Sequence, residues 1–446
     1  MESKQSNIVT LNETKLFYKF AVPNILSLVL LSSADIVDAI FIGRYVDEIS
    51  LAAVNTANPV YSFIWGLSMM IMIGGAVAAG KYFGEKNIKA ANEVFTNSII
   101  AVFLVSVVLS VLIFLFADNI IRLIGGSEKT TPIAVTYLQT ILPFIVFTTI
   151  GYGLSVFARV DGFPMLASLA LIMGALTNVI LDAIFIAVLN MGVAGAAYAT
   201  GISFIVSFLI LFIHFARKKG NLRITLQLRN FSHIIKTSYN GLSEFLNEIS
   251  VGITMALFNI IMMKYAQEEG VAAFTAINYI MWLGNMVNYG AADTLNPLIS
   301  TNYGAGKFDR IKNILKTGAF FTLLNGFGIF LTILFFSHEL TSLFIKDTSS
   351  NAYNISIEFM SYVKWAFFLS GINMVLSSYF TAMLRPKESA VIASLRSLIM
   401  PYFMLLLLPK LLEIKGVYLT IPVSEIVTFI TALTLFVLSS KFLLKR

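Results

Sequence analysis

The chain has 446 residues, of which 57% are apolar and only 12% charged. Soluble proteins carry about 25% charged residues, and the mean hydropathy here is +0.83. These values exclude a soluble globular enzyme and indicate that apolar side chains face lipid. The chain has no Cys, which excludes disulfides, thiolate metal sites and a catalytic thiol. The net charge of +7 does not indicate nucleic-acid binding, because the basic residues lie between apolar segments.

Twelve apolar segments are long enough to cross a bilayer, since a spanning helix needs about 20 apolar residues. None has the alternation of polar and apolar residues that is typical of a β-barrel strand. The predicted helices, in chain order, are 16–46, 51–82, 91–117, 130–160, 163–188, 192–217, 236–264, 270–302, 311–336, 350–384, 387–412 and 416–441.

Lys and Arg predict the orientation of these helices. They are concentrated at both termini and in the loops after the even-numbered helices, above all in the segment Arg217 to Lys236. The positive-inside rule therefore predicts a multi-pass inner-membrane (plasma-membrane) protein with both termini in the cytoplasm. The first apolar segment is not a cleavable signal, because it contains Asp35 and Asp38 and has no small-residue cleavage site.

A weak internal repeat divides the chain into two halves. The string GKYFGEK at 80–86 corresponds to TNYGAGK at 301–307, an offset of about 221 residues. We therefore predict an all-α membrane protein with two pseudo-symmetric six-helix lobes, at 1–216 and 236–446, joined by a basic cytoplasmic linker at 217–235. An even number of helices per half makes the repeat parallel, as in transporters that hold substrate between two halves.

Polar residues within the first half are candidates for ion binding, because ionisable groups at membrane depth are costly and usually functional. Asp35 and Asp38 lie three residues apart on the first helix. Asn178 and Asp182 are four apart on the fifth, so they share one face. Thr200 lies among small residues of the sixth. The structural alternatives are a wet polar lining for the acids, a helix-packing hydrogen bond for Asn178 and Asp182, and close packing for Thr200.

The second half is also acidic at membrane depth. Glu244, Glu248 and Asp293 could form a wall that attracts cationic substrates. For Glu244, which is close to a helix end, the alternative is a side chain that reaches the interface. Lys364, Arg396 and Glu425 are further charged residues in predicted spans of this half.

Several functional motifs are absent from the sequence. There is no GxxxxGK[ST] phosphate loop, so direct use of ATP by this chain is not expected. HExxH and GxSxG are absent too, and no nucleophile–base set is evident, which argues against an intramembrane enzyme. The three His residues lie far apart, so no metal site beyond bound Na⁺, and no cofactor, is expected.

Five strings in order along the chain resemble the multidrug and toxic compound extrusion (MATE) family: VDAIFIGRYVDEISLAAVNTANP, AAGKYFGEKN, LTNVILDAIFI, GVAGAAYAT and NPLISTNYGAGK. The resemblance extends from about Ser27 to Glu425. It implies a twelve-helix, two-lobed drug exporter coupled to H⁺ or Na⁺. The residues that the resemblance assigns to the ion site are Asp38, Asn178, Asp182 and Thr200.

The chain departs from the family pattern in two places. Asp35 is an extra acid, and the tenth helix lacks the Asp that one sodium-linked branch uses in its second lobe. The resemblance therefore favours coupling through the first lobe, with H⁺ and Na⁺ both open as the coupling ion.

The resulting hypothesis is a monomeric antiporter that exports amphipathic or cationic compounds, with drug-like molecules and membrane lipids as its partners. The main alternative is a flippase for lipid-linked saccharides, which would need Arg and Lys in its central cleft. A channel or sensor without coupled transport is a second alternative.

Overall fold

The computed structural model describes residues 6–225, 232–345 and 347–443. Within these ranges it is helical throughout, and it contains no strand. After a short helix at Ser6–Thr10, the first half comprises α1 (Glu13–Tyr45), α2 (Glu48–Gly84), α3 (Ile88–Leu123), α4 (Thr130–Val160), α5 (Pro164–Val188) and α6 (Gly192–Ala216). The all-helical architecture predicted from the sequence is confirmed.

The second half begins with a short helix at Ser232–Asn240. A long helical segment, Leu242–Gly304, follows. After it come α9 (Phe308–Ser342) and α10 (Asn351–Ala382). The last segment runs from Pro386 to Leu443.

Two of these segments each contain two membrane spans. The 63 residues of Leu242–Gly304 are interrupted at Gln267, where φ is 53°. The rings of Phe258 and Phe274 stack with their centroids 4.6 Å apart, whereas sixteen residues of straight helix would separate them by about 24 Å. The chain therefore reverses at Gln267, which divides the segment into α7 (242–266) and α8 (268–304).

The last segment reverses in the same way at Glu413, where φ is 50°. A Cβ added to Gly416 would overlap the backbone of Leu408, a contact that a straight helix could not make over eight residues. The segment is therefore α11 (386–412) and α12 (414–443). The ten long apolar helices thus supply the twelve predicted spans.

Backbone irregularities recur at equivalent positions of the two halves. Phe116 in α3 and Phe336 in α9 both leave helical φ/ψ values, with φ of −111° and −123°. In addition, 3₁₀ turns interrupt α4 at Leu142–Phe144 and α10 at Lys364–Ala366. These pairs are 220 and 222 residues apart, so the backbone repeats with nearly the period found in the sequence.

Helices α3 and α9 extend six residues beyond their predicted ends, to Leu123 and Ser342. The sequence prediction stopped where polar residues appear. In the extension of α3, Arg122 donates to the Asp118 carboxylate at 2.8 Å, a contact between residues one helical turn apart.

The described residues form two compact units. One combines the chain up to Gly241 with Ser300–Phe308, and the other combines Leu242–Ile299 with the chain from Asp309 onward. The predicted linker at 217–235 lies in the first unit, although 226–231 are outside the described residues. The predicted lobe limits at 216 and 236 stay predictions.

The start of the linker is bound to the first unit by side chains that accept its backbone N–H groups. The Asp161 carboxylate accepts from Asn221 at 2.9 Å, and the Asn92 carbonyl oxygen accepts from Arg223 at 2.7 Å. Burial raises the pKa of Asp161 to about 6, although the hydrogen bonds from the linker act in the opposite direction. The first residues of the linker are therefore ordered and bound to the first unit.

Candidate functional site

The predicted first-half site is assembled by α1, α5 and α6, which pack against one another. The spacing of four residues places Asn178 and Asp182 on one face of α5, and that face is buried. A π-helical turn, Ala183–Val188, follows Asp182 directly, and such turns are frequent at functional sites.

Hydrogen-bonding groups connect the three helices at this point. The Asn178 side-chain amide donates to the Thr200 hydroxyl at 3.2 Å, which joins α5 to α6. The carboxyl groups of Asp38 and Asp182 lie within hydrogen-bonding reach of each other, which joins α1 to α5. The structure thus brings together the four residues that the family resemblance assigns to the ion site.

Three of the four oxygens of these two carboxyl groups have no hydrogen-bond donor in the described part of the chain. Within the described ranges, no hydrogen-bond donor reaches either oxygen of Asp182 or the Oδ1 atom of Asp38. Carboxylates only accept hydrogen bonds, so two of them can bond to each other only when one holds a proton. This arrangement suits a proton or a small cation bound between the two groups.

Asp35 occupies a different environment, although it is only one turn from Asp38. Its side chain is exposed, and it is close enough to Asp38 to repel that charge. Asp35 therefore lies next to the four residues, and its part in ion binding stays a prediction.

Tyr137 is a residue that the sequence reasoning missed. It lies on α4, close enough to interact electrostatically with Asp35, Asp38 and Asp182. The chain has 17 Tyr residues, and no local pattern distinguishes this one, because its role depends on which helices pack together.

The three acids predicted in the second half are also brought together. Glu244 and Asp293 line a small cavity, with Asn247, Tyr289, Asn373 and Arg396 among the other lining residues. Glu248 interacts electrostatically with Asp293 and Glu244. The volume of about 20 Å³ holds one or two water molecules or one small ion, and a drug molecule would need a larger opening.

Arg396 and Glu425 form a buried ion pair in this half. The Arg396 Nε atom donates to Glu425 Oε1 at 3.0 Å. The Asn373 amide donates to Glu425 Oε2 at 2.7 Å, and Arg396 Nη1 donates to the Tyr289 hydroxyl at 3.4 Å. The sequence identified both charges but could not pair them, because the partners are 29 residues apart on different helices.

In 6–225, 232–345 and 347–443, no group of three or more His, Cys, Asp or Glu side chains could hold a metal ion.

Comparisons with known proteins extend over nearly the whole chain. The MatE family model matches residues 23–184 and 245–405. The chain is 25% identical over 391 residues to "Probable multidrug resistance protein YoeA" of Bacillus subtilis, covering 85% of this chain and 84% of that protein. It is 23% identical to "Multidrug export protein MepA" of Staphylococcus saprophyticus, covering 90% and 86% respectively.

Solved structures share the fold. A multidrug resistance MATE family transporter of the MOP superfamily in an outward-facing conformation gives a TM-score of 0.93 at 22% identity, with 100% of this chain and 99% of that chain covered. A MOP superfamily transporter from Pyrococcus furiosus, described as having reversed polarity in its binding pocket, gives 0.88 at 24% identity, with 97% and 96% covered. The match to both halves and the shared twelve-helix architecture lead to one conclusion: the chain belongs to the MatE family, as its motifs predicted, and is a multi-pass membrane transporter.

Proposed function

We propose that this protein is a secondary active multidrug exporter that exchanges amphipathic, often cationic, organic compounds for H⁺ or Na⁺ by alternating access. The ion binds between Asp38 and Asp182, with Asn178 and Thr200 completing the site. The names of the two relatives, a multidrug resistance protein and a multidrug export protein, support this substrate class.

The observation that carries this proposal is the Asp38–Asp182 contact within the helix bundle. Two adjacent carboxylates without donors would be destabilised by desolvation and by mutual repulsion, at a cost of several kcal/mol. A bound H⁺ or Na⁺ removes that cost, so a conformation that closes this contact requires the ion. Release of the ion requires a conformation in which α1 and α5 separate or admit water.

The experiment that tests the proposal is transport by purified protein in liposomes. A pH gradient and a Na⁺ gradient are imposed separately, and accumulation of a fluorescent cationic drug is followed. Accumulation driven by one gradient identifies the coupling ion. No accumulation with either gradient would indicate a channel or sensor instead.

The acids of the second half are proposed to attract the cationic part of a substrate. If Asp293 acts through its charge, Asp293→Asn should weaken binding of a cationic drug by roughly tenfold and leave a neutral drug of similar size almost unaffected. The measurement is drug affinity by fluorescence polarisation. Equal losses for the two drugs would assign Asp293 a structural role.

A lipid-linked saccharide flippase is less consistent with this half. A pyrophosphate group would need free basic side chains, whereas Arg396, the basic residue lining the cavity, is paired with Glu425.

We propose no catalytic activity, and we propose that one chain performs the whole cycle as a monomer in the inner membrane.

The proposed orientation places both termini in the cytoplasm. A reporter inserted between Arg217 and Lys236 is expected to read cytoplasmic, and one inserted near Met191, between α5 and α6, is expected to read external. Paired alkaline phosphatase and green fluorescent protein fusions at each position measure this. A reversed result at either position would overturn the orientation.

A further inference from the structure

The Arg396–Glu425 pair lies where an ion pair is costly. Arg396 is ten residues from Pro386, the first residue of α11, and therefore about 15 Å along the helix. The side chains are only 12% and 8% exposed. Burying two charges at this depth costs a large desolvation free energy. Packing alone therefore does not explain why the pair is present.

The repeat shows that this pair has no counterpart in the first half. Pro164 and Pro386 begin α5 and α11, 222 residues apart. In that register Arg396 corresponds to Gly174, where an added Cβ would overlap the Ser207 hydroxyl. The first half therefore packs two helices closely where the second half holds a charge pair.

The same register shows that the proposed ion site is not repeated either. Asn178 and Asp182 correspond to Met400 and Met404, which cannot bind H⁺ or Na⁺. The fifth helix of each half thus contributes to a buried charged centre, through Asp182 on α5 and through Arg396 on α11. The first needs a cation from outside the chain, and the second contains its own.

We propose that Arg396 is a tethered counter-cation for Glu425, which does permanently in the second half what an exchangeable ion does at Asp38 and Asp182 in the first. Glu425 therefore takes no part in the exchange of ions during transport. This inference rests on the proposed function, because it compares Glu425 with the proposed ion site of the first half.

The geometry around Glu425 supports this role. The Asn373 amide donates both to the Glu425 carboxylate and to its backbone carbonyl oxygen, which fixes the carboxylate but supplies no net charge. The guanidinium supplies that charge and is itself oriented by the Tyr289 hydroxyl. Because Arg396 also lines the small cavity, shortening its side chain would open a space of ionic size beside Glu425.

The test asks whether a free cation can replace the tethered one. The parent protein carries Asp182→Asn, which removes the first-half site. Two variants are made in this parent. Arg396→Gln leaves Glu425 without a cation. The matched double variant, Arg396→Gln with Glu425→Gln, removes both charges and keeps side chains of similar shape. The melting temperature of each purified protein is measured at constant pH and ionic strength in choline chloride, in NaCl and in dilute guanidinium chloride.

The Arg396→Gln protein is expected to melt about 3 °C or more higher in Na⁺ or guanidinium than in choline, because the bound cation stabilises only the folded state. The parent and the double variant are expected to show no such difference. If Arg396→Gln does not fold with any salt while the double variant does, the need of Glu425 for a tethered cation is supported.

Three outcomes overturn the proposal. In the first, Arg396→Gln protein folds but its melting temperature does not change with the cation. In the second, the melting temperature of the parent rises with the cation as much as that of Arg396→Gln protein. In the third, the double variant fails to fold, which would show that the ion pair is needed only for stability. Failure of the proposed function is recognised separately, since Asp182→Asn protein would then still export drug under an ion gradient.

Discussion

Asp182→Asn protein is expected to fold and bind drug but to lose gradient-driven export, to the level of protein-free liposomes, and Asp38→Asn is expected to do the same. Asn keeps the shape of the side chain and removes its charge, so it cannot bind and release an ion during the cycle. The measurement is drug accumulation in liposomes under the active gradient, with drug affinity and melting temperature recorded on the same samples.

Asp35→Asn is the matched control for these variants. Asp35 lies one turn from Asp38 on the same helix, but it is exposed and lies beside the four-residue site. We expect it to reduce export only in part. Normal export by Asp38→Asn or Asp182→Asn, or complete loss in Asp35→Asn alone, would contradict the proposed site.

Gly84→Ala is expected to destabilise the protein by about 1–3 kcal/mol, the usual cost of overpacking. A Cβ at Gly84, the last residue of α2, would overlap the Thr301 carbonyl oxygen and lie 2.5 Å from the Ala305 nitrogen. These are backbone atoms, which cannot rotate away as a side chain could. The reciprocal contact is as close, because a Cβ at Gly304 would overlap the Lys81 carbonyl oxygen. Thermal unfolding in detergent measures the loss.

Gly328→Ala is the control for this prediction. No atom lies within 4 Å of a Cβ added at this position in α9, so the substitution should be neutral or stabilise the helix by about 0.5–1 kcal/mol. A Gly84→Ala protein that melts at or above the wild-type temperature would show that the two helix ends can separate without cost.

The helices could be predicted from the sequence because lipid imposes a length and an apolar composition on each span. The reversals at Gln267 and Glu413 lie between the predicted helices, but their tightness could not be foreseen. Both residues have positive φ without being Gly, so neither has the residue type that predicts this conformation. Where α3 and α9 continue past their apolar segments, composition also underestimated their length.

The site was predictable to the extent that it depends on local geometry. The four-residue spacing of Asn178 and Asp182 fixes a shared helix face, whereas Thr200 and Asp38 were assigned through the family resemblance. Tyr137 and the Arg396–Glu425 pair were not assigned, because those contacts depend on which faces of distant helices meet. A single sequence contains no local signal for such contacts.

The reversal at Gln267 also affects how the protein enters the bilayer. Lys264, Glu268 and Glu269 lie within three residues of it. Because the turn is this short, almost no flexible linker separates α7 from α8. Neither helix can therefore complete insertion while the other stays outside. In the proposed orientation the two enter as one hairpin, which moves these charges across the hydrocarbon together, and the apolar surface of both helices offsets that cost in a single step.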